Sequence, residues 1–259
     1  MEKIKSQALL TKRLKEEAKK AGFSPVGIAR VPGSSRLNLR TKALQRWLKA
    51  GHHADMGWME AKRRENVETL LKGVSSVIAV GLNYYVDIER KPKTLSIARY
   101  ALGNDYHKVI EKRLKKLGIW LQKQRPACKW KVCVDASPLL DKAWAEEAGL
   151  GWIGKNSNII NSSQGSWMVI GHLLCTEELT PDEPSHSLCG QCNECLTACP
   201  TQAITEPFVV NSRLCLAYHT IENRKASIPN QIKKSIGNWV AGCDICQEVC
   251  PWNKKPIPN

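Results

Sequence analysis

Cys189, Cys192, Cys195 and Cys199 stand in the spacing C-x2-C-x2-C-x3-C and are followed by Pro200. A tight loop of this kind can aim three thiolates at one iron–sulfur cluster, while the fourth, past the three-residue gap, turns towards a second cluster. A second set, Cys215 with Cys243, Cys246 and Cys250-Pro251, repeats the C-x3-C-P ending with its first ligand displaced upstream. Eight thiolates suffice for two [4Fe-4S] cubanes. By the crossing logic, cluster one takes Cys189, Cys192, Cys195 and Cys250, and cluster two takes Cys199, Cys215, Cys243 and Cys246. Zinc is the competing chemistry, because C-x2-C pairs also hold structural zinc tetrahedrally. Four cysteines within 11 residues, and a proline after each final cysteine, suit clusters better. Of the 11 cysteines, Cys128, Cys133 and Cys175 remain, and they read as small buried apolar residues.

Clusters of this type move single electrons, so the rest of the chain is expected to hold a reducible cofactor or a docking surface. Asp135 is the candidate acid. It follows Trp130, Val132 and Val134, which alternate with Lys131 and Cys133 in the two-residue period of a strand. The bland reading of Asp135 is a helix cap or a surface aspartate. Three other motifs fail. Gly149-Leu-Gly151-Trp-Ile-Gly154 has the G-x-G-x-x-G pattern but follows an expected helix, whereas a dinucleotide fingerprint needs a strand before its turn. Gly154-Lys155-Asn156 lacks the Ser or Thr of a phosphate loop. Asp105-Tyr106-His107 opens like the D-x-H-x-x-G corrinoid signature, but Ile110 stands where its glycine belongs.

The elements that must position these residues are readable from periodicity. Leu10, Leu14, Ala18 and Ala21 form one stripe of an opening helix stopped by Gly22, and Ile110, Leu114, Leu117 and Leu121 do the same for a basic helix. Val77 to Val80 and Trp167 to Leu174 read as strands. Ser137-Pro138 is expected to cap and open a helix that runs through Leu140 and Trp144 to a stop at Gly149. Alternating helices and strands predict a layered α/β or α+β core over residues 1–180. The Pro- and Ser-containing stretch after Thr180 marks the expected boundary with a cluster-bearing domain, 181–259.

Composition fits this frame. The chain has 259 residues, 42% hydrophobic and 24% charged, which is ordinary for a globular protein. It contains no apolar run of transmembrane length and no secretory core after Met1, so a cytoplasmic location without membrane attachment is expected. A reducing compartment in turn favours metal ligation over disulfides. Lys and Arg total 39 against 24 Asp and Glu, a net +15, which favours a polyanionic partner such as nucleic acid. The basic residues are scattered, so a merely solvated surface is the alternative.

Several runs together resemble the epoxyqueuosine reductases. They are Ala98-Arg99-Tyr100-Ala101 with Asp105-Tyr106-His107, Val134-Asp135-Ala136-Ser137-Pro138, Ala143-Trp144-Ala145, Gly149 to Asn156, Cys189 to Thr201, and Cys243 to Asn253. The resemblance spans nearly the whole chain. It implies a nitroreductase-like core related to reductive dehalogenases, with a C-terminal two-cluster ferredoxin-like domain. It also implies cobalamin beside two [4Fe-4S] clusters, and reduction of the epoxide of epoxyqueuosine to queuosine at the wobble position of tRNA. On this likeness Asp135 supplies a proton from a partly desolvated pocket, and Tyr106, His107, Asn158 and Val169 line the corrin. Arg224 and Lys225 contact tRNA phosphates. The partners expected are tRNA carrying epoxyqueuosine and an unidentified low-potential electron donor, with the protein acting as a monomer. Family members usually continue into a helical, repeat-like region, whereas this sequence ends at Asn259, and weaker tRNA affinity is the expectation that follows. Three other functions fit parts of the pattern: an electron-carrier subunit with iron and no cobalt, a zinc-stabilised RNA-binding module, and a corrinoid reductase acting on organohalides.

Overall fold

The computed structural model describes residues 2–91, 94–224, 227–254, 256 and 258. In chain order its elements are α1 (Glu2–Lys20), β1 (Val26–Arg30), α2 (Ser35–Lys49), β2 (Ser76–Asn83), β3 (Ser96–Ile97), α3 (Tyr106–Gln124), β4 (Trp130–Cys133), α4 (Asp141–Glu147), β5 (Trp152–Ile153), β6 (Ile159–Ile160) and β7 (Met168–Cys175). The cysteine-rich part adds α5 (Glu194–Ala198), β8 (Ile204–Glu206), β9 (Val209–Val210), α6 (Asn230–Ser235), β10 (Trp239–Ala241) and α7 (Ile245–Glu248).

The central sheet has the order β1-β2-β7-β4, and every neighbouring pair is antiparallel. This makes the fold α+β. β2 is buried on both faces because helices cover both. Ile78 and Val80 face Leu10, Leu14 and Ala18 of α1 and Ile110, Leu114, Leu117 and Leu121 of α3. Val77 and Ala79 face the other way, towards Trp144, Ala145 and Leu150 around α4. A strand between two apolar layers has no polar face to alternate, which is why Val77 to Val80 is a continuous apolar run. Gly22, at φ +85°, ends α1 in a conformation that glycine adopts without steric cost.

α4 departs from expectation. It starts at Asp141, not at Pro138, and Ser137 does not cap it. Residues 135–139 form turns instead. Leu139 is buried in the core, its amide bonds the Ser137 carbonyl at 2.8 Å, and its own carbonyl accepts from Arg64 at 3.0 Å. Tertiary anchoring of Leu139 overrides the local Ser-Pro signal, and the segment that carries Asp135 becomes a loop. The stretch 180–187 has no regular structure but is tied down. Asp182 accepts from the Ile28 amide at 2.8 Å and pairs with Lys15 at 2.5 Å.

Candidate functional site

Asp135 lies two residues beyond β4, at φ +46°, a left-handed conformation in which Asp is among the better tolerated non-glycine residues. Its Oδ2 is 2.9 Å from Nε2 of His107, the second residue of α3. Asp105 caps that helix, accepting from the His107 amide at 3.0 Å, and its Oδ1 also meets His107 Nδ1 at 2.8 Å. The Tyr106 and His107 rings stack at 3.9 Å, and Tyr100 meets Tyr106 edge-on at 6.1 Å.

Electrostatics follow from these contacts. Partial burial works against a charged His107, but the hydrogen bonds and charges of Asp135 and Asp105 outweigh it, and its pKa is raised. The bond to His107 is the main reason that the Asp105 carboxyl falls below its usual range. Burial first, and then Asp135, push the Tyr106 phenol up, so it remains a hydrogen-bond donor. The Asp135 side chain itself is 64% exposed. The partly desolvated pocket expected from the sequence is therefore open on the protein's own account, because a short loop outside the sheet carries the acid.

Across from Asp135 stands Lys142, whose ammonium donates to the Ser157 carbonyl at 2.7 Å. Lys142 is exposed as a residue, yet the protein surrounding its ammonium lowers its pKa against the opposing pull of Asp141, Cys246, Asp135 and Cys215. One ammonium thus lies within electrostatic reach of both the candidate acid and two cluster thiols. Asn158 follows Ser157 in the turn between β5 and β6. Val169, on β7, is half-buried and packs in the same cluster as Tyr106 and Val134. Arg224 is exposed, and no described contact ties it to the other site residues. Lys225 lies outside the described residues.

The thiols sort by their influence on one another. Cys195 is pushed up to about 11, by burial first and then by Cys189, Cys250 and Cys192. Cys243 reaches about 12, through burial and then Cys215, Asp244 and Cys199. Cys246 is raised well above its ordinary value, by burial and by Cys243, Cys215, Cys195 and Cys199. Clustered thiols that hold their protons this firmly must release them when metal binds. Among the described residues no three such side chains close on a single metal ion. A cubane does not require that, since each cysteine binds a different iron at a different corner. The donor set suits two clusters.

Both cysteine loops are fastened to the core by one segment. Lys155 donates to the carbonyls of Gly190 at 2.9 Å and Cys192 at 2.8 Å and to Asn193 Oδ1 at 2.9 Å. Asn156 donates to the Cys246 carbonyl at 3.1 Å. Behind the second loop, Asp244 is 1% exposed and pairs with Arg90 at 2.6 Å and Arg99 at 3.2 Å. The indole of Trp152 donates to Cys189 Sγ at 3.4 Å, and the Ala203 amide to Cys199 Sγ at 3.2 Å. Such bonds to sulfur are among the means by which a protein sets a cluster's potential.

Residues 188–253 match a 4Fe-4S double cluster binding domain, and residues 64–136 match the family described as Epoxyqueuosine reductase QueG, DUF1730. An epoxyqueuosine reductase from a Synechococcus strain is 62% identical over 253 residues, which are 98% of this chain and 79% of the relative. The chain belongs to the epoxyqueuosine reductase family. A second epoxyqueuosine reductase, from Prochlorococcus marinus, is 62% identical over 96% of this chain and 80% of its own length. A crystal structure of an epoxyqueuosine reductase with an epoxyqueuosine-modified tRNA stem loop superposes with a TM-score of 0.88 at 29% identity, covering 97% of this chain and 67% of that one. The Bacillus subtilis epoxyqueuosine reductase, in a structure with its catalytic aspartate loop swung out of the active site, gives 0.82 at 29%, covering 95% and 66%.

Sequence reading missed Lys142, Lys155, Asn156 and the Arg90–Arg99–Asp244 cluster as parts of this site. The Gly149 to Asn156 run does carry a signal, in the spacing of its glycines. Its glycines serve packing: a Cβ on Gly151 would collide with the Ile160 carbonyl.

Proposed function

We propose that this chain reduces the epoxide of epoxyqueuosine to the alkene of queuosine at the wobble position of tRNA. The observation that carries the reading is the placement of Asp135, a solvent-open carboxyl within electrostatic reach of a lysine that also feels the thiols Cys246 and Cys215. That arrangement sets a proton source beside an electron supply. Opening a carbon–oxygen bond reductively leaves an alkoxide, and Asp135 is the group poised to protonate it. Lys142 adds positive charge where negative charge develops.

The half-buried side chains Tyr106, Val134 and Val169 would suit the flat face of a macrocyclic redox group. In our reading cobalamin would be that group, with Tyr106, His107, Asn158 and Val169 holding its edge. When bound, it and the two [4Fe-4S] clusters supply low-potential electrons to the strained epoxide, one at a time. Cluster one would be held by Cys189, Cys192, Cys195 and Cys250, and cluster two by Cys199, Cys215, Cys243 and Cys246. Arg224 and Lys225 are assigned to tRNA phosphates. We further assign residues 1–180 to cofactor and substrate binding and residues 181–259 to the clusters. The enzyme then acts in the cytoplasm as a monomer served by a low-potential donor. Among the described residues no helix is long and apolar enough to cross a membrane.

Anaerobic purification and metal analysis should return about eight iron atoms per chain, as two four-iron clusters require. The loaded protein, given cobalamin, a strong reductant and epoxyqueuosine-containing tRNA, should yield queuosine on nucleoside mass spectrometry. Fully loaded protein that leaves the epoxide intact refutes the proposal.

A further inference from the structure

Converting an epoxide to an alkene consumes two electrons and two protons and releases the oxygen as water. A single carboxyl carries one proton at a time, so Asp135 must be recharged within each turnover. We infer that His107, held by Asp105, is the relay that reloads Asp135 with protons from solvent. This rests on the proposed function and adds to it the source of the second proton.

The geometry is that of a relay. Both ring nitrogens of His107 lie against carboxylate oxygens, Nε2 at 2.9 Å from Asp135 and Nδ1 at 2.8 Å from Asp105. Asp105 is fixed by its second task, capping α3 through the His107 amide. Stacking against Tyr106 holds the plane of the ring. A cavity of about 190 Å³, lined by Tyr100, Asn104, Asp105, Tyr106 and His107 among others, opens beside the relay. At roughly 30 Å³ of liquid volume per molecule, it has room for several waters. The ring is itself 44% exposed, which leaves it open to reprotonation.

The step balances as follows. In the cationic ring both nitrogens bear protons and face the two carboxylates. The Nε2–H bond breaks, an O–H bond forms on Asp135, and Asp135 passes that proton to the oxygen leaving carbon. The neutral ring keeps its Nδ1 proton on Asp105 and takes a proton from solvent. A second transfer then lets the oxygen leave as water. Both electrons come from the low-potential donor through the clusters.

The charged and titratable groups around the ring are few. On α3 and its cap they are Asp105, Tyr106 and Lys108, the last 3.8 Å from Asp105. Glu111, one turn on, is taken up by Lys115 at 2.6 Å. Tyr100 approaches from the preceding turn, and Asp135 comes from the loop after β4, with Lys142 behind it. Two carboxylates in direct contact with the ring, against the two more distant ammoniums of Lys108 and Lys142, favour the cation that the relay needs.

His107→Gln keeps a hydrogen-bonding group but cannot carry a proton. In the full chain with clusters and cobalamin loaded, we expect turnover to fall about 100-fold, the lower end of what a lost proton-transfer group costs, with KM for tRNA unchanged. The pH–rate profile should lose one ionisation, and free imidazole should restore part of the rate to His107→Ala. A His107→Gln enzyme with wild-type rate and wild-type pH profile overturns the relay. A second readout needs no turnover. Exchange of the histidine C2 proton, followed by mass spectrometry across pH, should give His107 a raised pKa that drops in Asp135→Asn. A His107 titration indifferent to Asp135→Asn also overturns the relay. Failure of the wild-type chain to form queuosine refutes the function instead, and the exchange measurement then decides the relay alone.

Discussion

The acid of this site is held by a partner rather than by burial. Asp135 is on a loop, mostly exposed, and its position is defined by the 2.9 Å contact with His107, which lies 28 residues earlier. Asp135→Asn preserves the shape and removes the transferable proton, so turnover should fall by about 10²- to 10⁴-fold while iron content stays the same. Metal analysis alongside product assay checks both halves. The pairing also predicts a pH dependence of stability. His107 has a raised folded-state pKa, so the folded form binds a proton more tightly than the unfolded chain. Its stabilisation is fully present below the ordinary histidine value of about 6.5, and is lost as pH rises through the folded value. The difference in melting temperature between wild type and His107→Gln, measured anaerobically, should therefore shrink from pH 6 to pH 9. It should be small throughout, because solvent screens a ring this exposed. Asp135 was recognisable in the sequence as a strand-end acid. Its contact with His107 was not, because a contact between α3 and the loop after β4 leaves no trace in local spacing.

At the level of elements, the thiol loops owe their placement to the segment between β5 and β6. Lys155 brings three donors to the Cys189–Asn193 turn. Its truncation to alanine leaves two carbonyls and an amide oxygen without that ammonium. Hydrogen bonds to a charged group contribute about 1.5–3 kcal/mol each, less here because solvent reaches part of the site. Lys155→Ala should lose iron preferentially from the first thiol group on dilution or mild chelation. Iron quantitation and the cluster's electron paramagnetic resonance signal would follow it. The sequence showed Lys155 only as a failed phosphate loop, since its acceptors are backbone carbonyls, which every residue has. Helices that bury a stripe, α1 and α3, were readable from periodicity. α2 was not, because the stripe it turns inward, Leu37, Leu44, Trp47 and Leu48, is only half-buried and is interrupted by polar residues. The start of α4 was misread for the opposite reason: a strong local Ser-Pro signal lost to the burial of Leu139.

Across the whole molecule the net charge of +15 is the property that the chemistry of the site does not account for. Cluster and acid together need no such excess, and filled clusters only reduce it, because their ligands are thiolates. The clearest use of the surplus is a polyanion large enough to touch many scattered basic residues, and a folded tRNA is one. Counterion release makes this quantitative. Each phosphate neutralised lowers the slope of log affinity against log salt by about 0.7 to 0.9. A contact with about five phosphates should therefore weaken by roughly 100- to 500-fold between 50 and 200 mM salt. The Arg224→Ala variant should reduce the slope by about one phosphate equivalent, while an uncharged nucleoside substrate should bind with no such dependence. Binding isotherms of anaerobic protein with tRNA at four salt concentrations would measure it. A flat line would mean that the charge is a solvated surface, and that recognition of the RNA depends on contacts close to the modified base.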